Sequence, residues 1–265
     1  MLYQSRKPTP VLAPWVESYW QVQLDAGPTP KSEIILPNGK IEMIFALDGN
    51  YTVVNRQTNK VHQAWLSGVQ HEPLNISYKG KSNLIGIRFH TYGLFPFLRI
   101  PVNETVNAVE PLKDITGKLY EQLFESISHA NSTAEVFSIL DLFLVRNIDH
   151  DKVKQFKLMS EITRQLNVLP EQPISQLADR MGISQRHLGR ICHDHMGVTP
   201  KLLARIFRFE KSFSYLYLQK DEEDFKALID LGFYDQSHFI KEFKRFSGMT
   251  PEQYKKRAVE SNNFL

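Results

Sequence analysis

A chain of 265 residues exceeds the usual size of one domain, so two units, each with its own core, are expected from length alone. Its 42% hydrophobic and 11% aromatic content excludes a disordered chain, and its single cysteine, Cys192, excludes an intramolecular disulfide framework and a thiol-rich zinc site. The net charge of +3 is too small to point to nucleic acid by itself, but residues 150–265 hold 19 Lys and Arg against 15 Asp and Glu, while residues 1–149 hold 13 against 14.

The opening MLYQSRKPTPVLAPWVESYW has no apolar run ending in a small-residue cleavage site, and nothing approaches the roughly 20 apolar residues of a membrane span. A soluble cytoplasmic protein with no membrane partner is expected. Up to about residue 107 the apolar positions alternate: Ile41, Met43, Phe45 and Leu47 share one face, and DGN at 48–50 predicts a turn before YTVVN. Further strands are predicted at AWLSGV, LNISYK and NLIGIRFH, where Ile85, Ile87 and Phe89 alternate again. Arg88 and His90 fall on one face of the last of these, which reads as a half-exposed strand, with an anion or effector pocket as the sharper alternative.

The spacing then turns helical. Leu112, Ile115, Leu119, Leu123 and Ile127 form one stripe, and Ser132 to Ile148 forms a second helix. Val136, Phe137, Ile139, Leu140, Leu142, Phe143, Leu144 and Val145 nearly encircle that second helix, which predicts a second covering surface, used in self-association or in coupling to the rest of the chain. NIDHDK reads as a short linker, and only helices follow it.

Those helices contain a repeat. LADRMGISQRHLGRICHDHMGVTP aligns with LIDLGFYDQSHFIKEFKRFSGMTP, pairing Gly182 with Gly232, His187 with His238, Leu188 with Phe239, Cys192 with Phe243 and Gly197 with Gly248. Each copy reads as a short helix, a glycine turn and a second helix, closed by Gly-x-Thr-Pro. There the glycine ends one helix while Thr and Pro begin the next. Between the copies lies PKLLARIFRFEKSFSYLYL, with Leu202, Ile206, Phe209 and Phe213 on one face.

With ISQLADRMGISQRHLGRI, RFEKSFSYL and above all DLGFYDQSHFIKEFKRFSGMTPEQYKKR, residues from about 155 to 257 resemble the DNA-binding domain of the AraC/XylS family of bacterial transcription regulators. LPNGKIEMIFAL and LIGIRFHTYGLFPFLRIP resemble an N-terminal domain often found before it. The resemblance implies an α+β chain of two domains. Residues 1–149 would be a mainly β regulatory, effector or oligomerisation domain, cupin-like in its candidate shape, with two trailing helices. Residues 150–265 would be a seven-helix domain with two helix-turn-helix motifs that read successive major grooves of double-stranded DNA. RNA polymerase, a small-molecule effector and a second copy of the chain are the further partners so implied.

Helical spacing sorts the residues of the two recognition helices. In the first, Ser184 caps, Leu188, Ile191, Cys192 and His195 point inward, and Arg186, Gly189, Arg190 and His193 are left outside. Arg186 and Arg190 are base-contact candidates, because a guanidinium presents two donors to guanine. In the second, Phe239, Glu242, Phe243 and Phe246 fall on one side, leaving Gln236, Ser237, Ile240 and Lys241 as base-contact candidates. Ser184, His187, Lys201, His238, Lys244 and Arg245 are phosphate-contact candidates, which add affinity but little sequence information. Two departures from the family pattern stand in the first unit: Cys192 where a large aromatic is usual, and Gly189 in mid-helix, at a cost of about 1 kcal/mol relative to alanine. This unit is expected to discriminate bases less than the second.

Enzymatic readings are poor. His193 and His195 are two apart, on different helix faces, where a metal-binding pair would be four apart. No phosphate-binding loop, dinucleotide-binding glycine pattern or nucleophile elbow is present. No catalytic activity, cofactor or metal is expected.

Overall fold

The fold is given by a computed structural model, which describes residues 1–54, 58–61, 63–98, 100–116, 118–218 and 225–260. The N-terminal strands are β1 (Leu2–Arg6), β2 (Val16–Asp25), β3 (Lys31–Ile35), β4 (Ile41–Val54), β5 (Thr58–Val61), β6 (Ala64–Ser67), β7 (Leu74–Phe89) and β8 (Val109–Pro111). They pair antiparallel in the order β1-β2-β7-β4-β6-β8, with β3 beside the first part of β7 and β5 beside the last part of β4. Alternation sends Tyr19, Ile41, Met43, Phe45, Ile85, Ile87 and Phe89 into one core. Trp20, Ile44, Tyr51, Val53, Trp65 and Tyr78 form a second on the opposite face.

The expected turn at DGN is not a turn. β4 runs through Asp48–Asn50 with register shifts against β7 on either side of Asp48, and Gly49 takes φ +103°. Asp48 Oδ1 accepts from Gly49 N–H at 2.8 Å. The same residue types that make a hairpin here make a bulge, which bends a long strand without ending it. LNISYK and NLIGIRFH are likewise one strand, β7, broken only in conformation at Gly80 (φ +71°). Arg88 is paired with Glu42 at 2.7 Å, and His90 Nε2 lies 3.2 Å from the Ala13 carbonyl.

Helices α1 (Leu112–Thr116), α2 (Lys118–Ser128) and α3 (Thr133–Asn147) follow, and residue 117, between the first two, lies outside the described residues. Ser132 caps α3 by accepting from Glu135 N–H at 3.2 Å. Val136, Phe137, Leu140 and Leu144 are buried, whereas Leu142 and Val145 are 57% and 40% exposed. Asp141 ties α3 to the N-terminal segment: its carboxylate accepts from Arg6 Nη2 at 2.6 Å, Tyr19 OH at 2.7 Å and Thr9 N–H at 3.1 Å.

The remaining helices are α4 (Phe156–Val168), α5 (Ile174–Arg180), α6 (Gln185–Met196), α7 (Pro200–Leu218), α8 (Phe225–Asp230), α9 (Gln236–Ser247) and α10 (Pro251–Glu260). One hydrophobic cluster runs from Leu12 in the N-terminal part to Tyr254 in α10 without interruption. At the joint, the Trp15 and Phe156 rings stand 5.0 Å apart edge to face, and Phe95 meets His195 at 4.0 Å. The linker is held as well, since Asp149 N–H donates to Pro96 O at 2.9 Å. The face predicted for α7 is buried at Ile206 and Phe209, but Leu203 and Phe207 are also buried. They form a second face beside Gly39, in the loop between β3 and β4, where an added β carbon would lie 2.9 Å from the Phe207 ring.

Candidate nucleic-acid interface

The two copies of the repeat fold alike, down to their backbone exceptions. Gly182 and Gly232 take φ +66° and +84° in the turns, and Gly197 and Gly248 both take φ +77° at the C-caps of α6 and α9. A left-handed residue at these points costs an L side chain energy and glycine none, which is why the repeat writes glycine at all four. In each turn the chain folds back on its first helix: Ile183 N–H donates to Ala178 O and Phe233 N–H to Leu228 O, both at 3.1 Å. Thr199 and Thr250 then cap α7 and α10, accepting from Leu202 N–H at 3.2 Å and Gln253 N–H at 3.3 Å.

On α6, Ser184 Oγ accepts from His187 N–H at 3.2 Å, so this phosphate-contact candidate is engaged as the cap. Leu188, Ile191, Cys192 and His195 are buried, while Arg186, Arg190 and His193 are exposed. Burial alone pushes the Cys192 thiol up to about 12. Arg190 Nη2 donates to His187 Nδ1 at 3.0 Å. A guanidinium has no acceptor, so this bond keeps the His187 proton on Nε2 and braces Arg190 from one turn away. A β carbon on Gly189 would meet nothing within 4 Å, which leaves the helix bare between the two arginines.

On α9, Asp235 supplies the cap, its Oδ1 accepting from His238 N–H at 2.6 Å. Gln236, Ser237, Lys241, Lys244 and Arg245 are exposed, as is Lys201 on α7. Ile240 is half-buried and packs on the central core, so only part of it faces outward. His238 is turned inward, accepting at Nδ1 from Tyr234 N–H at 3.2 Å and standing edge-on to Phe233.

Two features escaped sequence reasoning. Glu242 is gripped by α7: Arg205 donates through Nε and Nη2 at 2.9 and 2.6 Å, and Arg208 Nη2 lies 3.4 Å away. Arg208 also donates to Gly232 O at 3.0 Å, with its guanidinium 4.7 Å from the centre of the Phe233 ring. Burial would raise the Glu242 carboxyl, but Arg205, aided by Arg208, holds it below its ordinary value. The corresponding residue of the first unit is the buried Ile191, so the repeat builds one joint of hydrocarbon and the other of ions. Two arginines three apart on α7, Arg205 and Arg208, were the available signal. The other feature is Tyr234, 88% exposed immediately before the α9 cap.

Two helix-turn-helix units on one connecting helix, with their polar faces exposed, define a double helix-turn-helix domain. Residues 177–257 match a family described as a helix-turn-helix domain, and residues 4–111 match a domain of unknown function, DUF6597. The chain therefore carries a helix-turn-helix domain preceded by a β domain of unassigned role. An uncharacterized HTH-type transcriptional regulator of Haemophilus influenzae is 26% identical over 157 residues, covering 55% of this chain and 52% of that protein. The chain thus spans about half the length of the curated relative it matches. Among solved structures, ToxT from Vibrio cholerae O395 is similar over 95% of this chain and 96% of its own, at 11% identity and a TM-score of 0.48. The AraC-like transcriptional activator CuxR is similar over 81% and 87%, at 14% identity and a TM-score of 0.30.

Proposed function

We propose that the protein is a sequence-specific, non-enzymatic DNA-binding transcription regulator of the bacterial cytoplasm. Residues 150–265 are the reading part and residues 1–149 the regulatory part, where a small-molecule effector or a second copy would act; RNA polymerase is the expected partner on DNA. The observation that supports this reading is the pair of exposed polar faces, Arg186 and Arg190 on α6 and Gln236, Ser237 and Lys241 on α9, at matching places in two like-folded units. Their connector α7 has 19 residues, about 28 Å of helix, the same order as the 34–36 Å between major grooves on one face of a duplex. Arg186 and Arg190 would read base edges in one groove and Gln236, Ser237, Lys241 and the outer part of Ile240 in the next. Lys201, Lys244 and Arg245 would hold phosphates.

The test uses the full chain and a randomised duplex library. Selection should yield two conserved segments about 10–10.5 base pairs apart, bound with an affinity that falls steeply with salt as counterions are released. Inserting about five base pairs turns the second segment to the opposite side of the duplex and should remove most of the affinity. Unchanged binding after the insertion would mean that one unit alone reads DNA, and no salt-dependent binding would end the proposal. Among the described residues no helix is long and apolar enough to cross a membrane, and no group of three His, Cys, Asp or Glu is arranged to hold a metal ion.

A further inference from the structure

Both Gly-x-Thr-Pro turns come to rest on the N-terminal part, at two neighbouring places. A β carbon on Gly197 would lie 2.7 Å from Val106 Cγ2, 3.0 Å from Val102 O and 3.3 Å from Asn103 Cα. One on Gly248 would lie 3.4 Å from Pro73 Cγ. The glycines are thus doubly required, for φ +77° and, at Gly197, for close approach. The residues that follow them, Val198 and Met249, belong to or pack on the core cluster that crosses the joint.

The two segments that receive the turns, 68–73 and 102–108, are stitched into one body. Gly68 abuts Thr105 so closely that an added β carbon would fall 1.8 Å from the Thr105 carbonyl oxygen. Asn107, held at φ +54°, donates its backbone N–H to Val69 O at 3.0 Å and accepts from His71 N–H at Oδ1 at 2.9 Å. Its Nδ2 donates to the His71 ring at 2.7 Å, and Gln70 Nε2 reaches both Gly68 O and Ala108 O at 3.1 Å. Asparagine tolerates the left-handed region better than other L residues, and here, bonded on both sides, it fixes the separation of the two loops.

We propose that this loop pair is a bracket that seats the C-terminal turns of both helix-turn-helix units and thereby sets the angle and spacing between α6 and α9. The inference rests on the DNA-reading function proposed above. It assigns the N-terminal part a direct role in the reading geometry: a change in the sheet that shifts 68–73 against 102–108 changes which groove spacing the protein accepts. Strands β6 and β8, which flank these loops, pair with each other from Trp65↔Pro111 to Ser67↔Val109, so the sheet edge and the bracket move together.

The test compares full-length wild type with Asn107→Gly, which keeps the left-handed backbone and removes the side-chain stitch, and with Val106→Ala, which loosens the seat of Gly197. Each is measured against selected duplexes whose two segments are moved apart or together by one or two base pairs, a rotation of about 35° per base pair. Wild type should lose about tenfold or more in affinity for a two-base-pair change. Both variants should lose about threefold or less, with affinity for a duplex carrying only the first segment unchanged within about twofold. Cooperatively melting variants that keep the wild-type spacing profile would overturn the bracket, as would variants that bind every spacing more tightly by one common factor, which would mark the contact as a cover. Should Asn107→Gly fail to fold, Val106→Ala carries the same comparison. If wild type itself binds no duplex, it is the DNA-reading function that has failed.

Discussion

Arg190 and Lys244 are both exposed cations on recognition helices, yet they should behave differently. Arg190 is braced by His187 at 3.0 Å, which fixes a planar fork that a freely rotating lysine lacks. Arg190→Ala should relax base preference at one position of the first segment and cost about 1–3 kcal/mol there, as read from binding profiles over a duplex library. Lys244→Ala should weaken all sequences alike and lower the salt slope by about one. If the two variants gave the same profile, Arg190 would be a phosphate contact. His187→Ala leaves the guanidinium in place but unbraced, and should blur the preference less than losing Arg190 does.

At the scale of the element, the ionic joint between α7 and α9 is the place where the second unit is exposed to change. Removing the carboxylate leaves Arg205 and Arg208 facing one another with 22% and 13% of their side chains exposed. Glu242→Gln should therefore cost about 1–3 kcal/mol in denaturant unfolding and weaken reading of the second segment more than the first. Equal loss at both segments would mean that the joint supports the whole domain. The repeat was legible in the sequence because its signals are local: a cap, a glycine at a left-handed position, and an apolar face at helical spacing all lie within about twelve residues. The long strands were not, because DGN serves a bulge as readily as a hairpin. The second buried face of α7 went unread although Leu203, Ile206 and Phe207 stand at helical spacing, because what covers Leu203 and Phe207, the segment around Gly39 between β3 and β4, is far away in sequence.

At the scale of the whole molecule, the core crosses the expected domain boundary, and two histidines lie at or near the joint. Burial holds His195 below its ordinary value of 6.5 against the opposing charge of Asp194, and burial likewise lowers His90, with Lys40 and Lys7 adding to the effect and Glu17 opposing it. A folded-state value below the unfolded one means that the unfolded chain takes up protons first. The stabilising effect is complete above pH 6.5 and is lost as pH falls through that value toward the folded-state ones. Thermal melting at about pH 5.5 should thus come at a lower temperature than at about pH 7.5, and His195→Gln should narrow the gap. An unchanged gap in that variant would place the acid sensitivity elsewhere.

Cys192 has a practical consequence. It is 0% exposed and burial pushes its thiol up to about 12, so alkylation of Cys192 in the native protein should be slow beside that of an exposed thiol. A fluorophore attached through a cysteine introduced on either part would go to that one position without removal of the native residue. Slow modification of Cys192 itself would time how often α6 lifts away from its neighbours, an internal clock for the opening of the first unit that the chain already carries.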